Sequence, residues 1–99
     1  MGVAERVVEG VRLFTEWCMS MSKEVIKRQI ERYYGLEVLE VDRDTVTIRI
    51  PEDLAQQTCH PELAGKVIHC KKGQAVPEDL YKLYSIQDCV RLSILLSML

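Results

Sequence analysis

The sequence predicts an α+β domain on three observations. A Pro-free opening stretch repeats apolar residues at helical steps, short segments further on read as strands flanking tight turns, and the chain ends in an almost uncharged helical run. With 99 residues, 47% of them hydrophobic and 28% charged, the chain suits one domain over residues 1–99 around a single thin core. Its 5 Gly and 3 Pro are too few for a linker or fibrous protein, and its apolar share is too high for disorder.

The first element is a long helix over residues 3–34. Ala4, Val7, Val11, Phe14, Cys18, Met21 and Val25 follow one another at steps of three and four, and Gly35 supplies the stop. Beyond Val25 this register meets Arg28 and Arg32, while Met19, Ile26, Ile30 and Tyr33 take over on an adjacent stripe. An unbroken rod of this length measures about 48 Å, whereas a compact chain of this size has a radius of gyration near 13 Å. The rod does not fit the globule. Val3, Val8 and Trp17 widen the seam enough for two neighbours. The expected consequence is a homodimer joined along Val7, Val11, Phe14, Cys18, Met21 and Val25. The alternative is a helix broken at Ser20 to Ser22 into an αα hairpin, since serines compete for backbone hydrogen bonds.

A small antiparallel sheet from two hairpins follows. Residues 36–50 form the first, with Asp42-Arg43-Asp44 as the turn and Val46, Ile48 and Ile50 alternating with Thr45, Thr47 and Arg49. Pro51 opens a short helix at 52–58 with carboxylates in its first turn. The second hairpin, 66–76, turns at Lys71-Lys72-Gly73, and Pro77-Glu78-Asp79-Leu80 restates Pro51-Glu52-Asp53-Leu54, opening a further short helix at 78–84. The last helix, 86–98, is capped by Ser85 with Asp88 three residues on. It carries only Asp88 and Arg91 as charges and is apolar nearly all round, so it is expected to be enclosed by several elements or by a second chain.

Beside the helix seam, two groups of residues are candidates for function. Cys59-His60 and His69-Cys70 supply the two thiols and two imidazoles of a tetrahedral zinc shell, or a Cys59–Cys70 disulfide. Adjacent residues on a strand point to opposite faces, which opposes convergence of His69 and Cys70 on one metal. Lys27, Arg28 and Arg32 on the first helix and Lys66, Lys71 and Lys72 at the second hairpin are candidates for nucleic-acid contact, although Glu24 and Glu31 interleave them. Cys18 and Cys89 read as core residues. No nucleophile with a base, phosphate loop or metalloprotease signature is legible, so neither catalysis nor a cofactor is expected.

A net charge of -2 provides no global pull toward polyanions or anionic membranes. Glu5, Arg6 and Glu9 interrupt the opening residues, and the Leu92–Leu99 run is far short of the roughly 20 residues a spanning helix needs. The expectation is a soluble, cytoplasmic protein without membrane contact. The absence of Asn leans toward a hot-adapted source. Together these readings predict a non-enzymatic interaction or assembly module, acting as a homodimer or on another protein. The alternatives are a nucleic-acid-binding dimer and a thiol or zinc site.

Overall fold

The computed structural model describes residues 3–99, with the side chains of residue 10 and residues 12–99. The elements run α1 (Val3–Ser20), α2 (Lys23–Tyr33), β1 (Glu37–Val41), β2 (Thr45–Arg49), α3 (Glu52–Gln57), β3 (Val67–Lys71) and α4 (Ile86–Met98), with short 3₁₀ turns at Pro61–Leu63 and Glu78–Lys82. The fold is α+β.

The continuous helix expected over residues 3–34 is corrected: it is two helices. At the break, Ser20 Oγ donates to the Trp17 carbonyl at 2.7 Å, and the Met21 amide reaches Cys18 O at 3.1 Å, closing α1 with a tighter turn. Ser22 is extended (φ -70°, ψ 156°), and its Oγ accepts from the Val25 amide at 3.3 Å, capping α2. The length argument identified a real misfit, because the molecule measures 40 × 30 × 21 Å. The chain resolves it by dividing the rod into pieces of about 27 and 16 Å. Both pieces pack on α4.

Helix α4 is the centre of the core. Its Cys89, Leu92, Leu95 and Leu96 are buried and join Ile26 and Ile30 of α2 and Cys18 of α1. The sheet is antiparallel in the order β1-β2-β3. Val46, Ile48, Ile68 and Cys70 are buried in that core, while the opposite face carries Thr47, His69, Arg49 and Glu37, with a 2.6 Å ion pair from Arg49 to Glu37. A bulge at Leu39 interrupts the β1 register.

The second hairpin is also corrected, to a single strand, which leaves three strands among the described residues. Gly73 takes the left-handed conformation at φ +79°, its amide donates to Ser97 Oγ of α4 at 2.8 Å, and the chain leaves the sheet. Val76 then enters the core, and Pro77 has no amide to offer a neighbouring strand. The segment expected as a helix at 78–84 is a 3₁₀ turn over Glu78–Lys82 that buries Leu80.

Candidate functional site

Part of the expected dimer seam packs inside the protomer: Cys18 is 1% exposed, Phe14 and Met21 pack against the core, and Val25 is half-buried. The side chains of Val7 and Val11 lie outside the described residues. The break at Ser22 lets Cys18 and Val25 lie on separate helices that both pack on α4.

The four candidate zinc or disulfide residues are not brought together. Cys70 is in the core, paired across the sheet with Val46, while His69 projects from the other face and meets Thr47 Oγ1 at 3.0 Å through Nδ1. His60 Nδ1 meets Glu62 Oε1 at 3.0 Å. Among the described residues no three His, Cys, Asp or Glu side chains gather where a metal could sit, and all four thiols are free. Burial pushes the Cys70 thiol up to about 11.

Cys59 has a different distinction: at φ 61° it is the one described non-glycine residue with positive φ. Its amide donates to Gln56 O at 3.1 Å and the His60 amide to Ala55 O at 2.8 Å, which is the Schellman closure of α3. That position favours glycine, because an L side chain there crowds the backbone. Cys59→Gly is therefore expected to stabilise the fold by about 0.5–1 kcal/mol, measured as a rise in the urea midpoint at constant slope; a lower midpoint would show that the Cys59 side chain makes contacts that matter.

The basic candidates do not form one patch. Lys27, Arg28 and Arg32 are exposed on α2, which packs beside β1, whereas Lys66 and the pair Lys71 and Lys72 lie at opposite ends of β3 on the far edge of the sheet. Lys66 Nζ lies 2.6 Å from Asp79 and holds that carboxyl below its ordinary range.

Two surfaces that no sequence motif marks stand out instead. On α4, Ile86 (75% exposed), Val90 (37% exposed), Ser93 and Ser97 recur at steps of four, three and four; Ile86 and Val90 stand in water, while Ser93 and Ser97 are half-buried beside residues 73–75. Their hydroxyls are already engaged, Ser93 with Val90 O and Ser97 with Ser93 O, both at 2.7 Å. The stripe therefore presents no charge and no unpaired hydroxyl proton.

The second surface is a cleft of ≈ 120 Å³ lined by Phe14, Trp17, Gln29, Tyr33, Tyr34 and Arg91, with Leu95 beside them. Phe14 and Trp17 stack at 5.9 Å, and Tyr34 meets Tyr33 and Tyr84 edge-on at 5.2 and 5.3 Å. Tyr84 donates its hydroxyl proton to the Tyr34 carbonyl, fixing the end of α2 against the start of α4. The Arg91 guanidinium sits 5.8 Å from the Phe14 ring. Asp88, one turn earlier, accepts from Ser85 Oγ at 3.0 Å, and Arg91 has no ion pair with a carboxylate among the described residues.

Comparison with protein families, with curated proteins and with solved structures finds no match to this chain. No described helix is long and apolar enough to cross a membrane.

Proposed function

We propose that this protein is a non-enzymatic interaction module that pairs with a second copy of itself through the outward stripe of α4. The observation that carries the reading is the exposure of Ile86 and Val90 in line with Ser93 and Ser97. A solvent-facing helix side normally bears charged residues, and this one bears none. Branched apolar residues one turn apart, at Ile86 and Val90, offer a second helix an apolar contact near the start of α4. A two-fold contact sets the same stripe against itself, so one row of residues serves both partners. This moves the pairing element from α1, where the sequence placed it, to α4.

Sedimentation equilibrium over a micromolar concentration series tests the reading. The expected result is a mass of about twice 11.4 kDa that falls toward one chain on dilution. A single-chain mass at every concentration would overturn it.

A further inference from the structure

The cleft beside Arg91 has a chemistry of its own. Its ≈ 120 Å³ lies well below the roughly 300 Å³ at which small-molecule pockets begin, so it suits one bulky side chain rather than a cofactor. Trp17 (39% exposed) and Tyr33 (70% exposed) keep apolar surface at its edge in water. Arg91 is half-buried beside them, and partial removal from water strengthens the attraction of a guanidinium for a carboxylate. On α2, Gln29 and Tyr33 form the row that lines the cleft, and the exposed Arg28 and Arg32 form the next row outward. Arg28 and Arg32 therefore carry positive charge past the aromatic edge, with Glu24 on their own row one turn before Arg28 and Glu31 beside Arg32.

We propose that this cleft docks an acidic peptide segment of another protein, which inserts one Leu or Phe side chain among the rings and sets a neighbouring carboxylate on Arg91. Aromatic residues with an arginine are the composition of interface hot spots, because rings supply contact area at low entropic cost and the guanidinium supplies directional pairing. The proposal goes beyond the pairing through α4 and does not depend on it.

The test uses the full chain and an acetylated, amidated heptapeptide, Glu-Asp-Leu-Phe-Glu-Asp-Leu, with a control carrying Gln and Asn in place of its acids. Trp17 is the sole tryptophan, so its emission reads the cleft directly. The expected result is a saturable emission change with the acidic peptide, and binding about tenfold weaker or worse for the neutral peptide and for Arg91→Gln. Tyr33→Ala, at an exposed edge position, is expected to weaken binding several-fold with an unchanged circular dichroism spectrum. Equal affinity for the two peptides overturns the proposal, as does no emission change with millimolar acidic peptide. Should Arg91→Gln fail to fold, unchanged affinity in Tyr33→Ala overturns it instead. An emission shift that follows protein concentration without peptide, and persists in Val90→Glu, gives the cleft to a second copy and also overturns the acidic-peptide assignment. The α4 pairing is judged separately, by the mass of the protein.

Discussion

Truncation of Leu92 to Ala is expected to lower the unfolding free energy by about 3 kcal/mol, within the range for buried leucines. Leu92 is fully buried in the middle of α4, where α1 and α2 both pack. Removing its isopropyl group leaves a cavity that three helices would have to collapse together to fill. Ile86→Ala on the same helix is expected to cost less than about 0.5 kcal/mol in dilute protein, because Ile86 stands in water. Urea unfolding followed by circular dichroism separates the two. A Leu92→Ala loss below about 1 kcal/mol would mean that α4 does not organise the core.

The second large effect is a loss of stability in alkali. Burial raises the thiol of Cys70 from 9.0 to about 11, and it raises Cys18 and Cys89 in the same direction, with the Asp88 charge adding to Cys89. Tyr34 is pushed from 10.0 to about 12, first by burial and then by Asp88, and burial also raises Tyr84. The unfolded chain releases these protons near their ordinary values, whereas the folded chain holds them to higher pH. Their contribution is therefore complete below about pH 9 and is lost as pH rises through the folded values. Cys70 alone accounts for roughly 3 kcal/mol across that window. Urea midpoints should be level from pH 7 to about 8.5 and fall steeply by pH 10.5. A thiol reagent at pH 7.5 should modify Cys59 quickly in the folded protein, and Cys18, Cys70 and Cys89 only on unfolding. A level profile to pH 10.5, or four thiols reacting in the native state, would contradict the burial described here.

Local chemistry made much of this fold legible. Strands β1 and β2 were readable because Val46 and Ile48 alternate with Thr45 and Thr47, and α4 because Ser85 and Asp88 mark its start. The break between α1 and α2 was harder. The apolar spacing runs through it without an error, and only the capping hydrogen bond of Ser22 decides in favour of a new helix. The missing fourth strand has a tertiary cause: the Gly73 amide bonds to Ser97, 24 residues away, which no local pattern announces. For the functional surfaces the difficulty was different. Helix α4 is apolar nearly all round, so spacing alone could not say which of its rows faces outward until Cys89, Leu92, Leu95 and Leu96 were seen in the core. The aromatic cleft joins Phe14, Tyr33 and Arg91 from three helices, and its members are neighbours only after folding. The Cys59, His60, His69 and Cys70 pattern drew notice in the sequence, yet strand alternation separates His69 from Cys70 in the structure.

Whether α4 or α1 joins two copies can be read from the masses of Val90→Glu and Leu13→Glu beside the parent protein. Both positions face water, so each variant should keep its fold. A buried pair of glutamates across a two-fold contact is strongly disfavoured. The account predicts a single-chain mass for Val90→Glu and a two-chain mass for Leu13→Glu at the same micromolar concentration. A two-chain mass for Val90→Glu would contradict it.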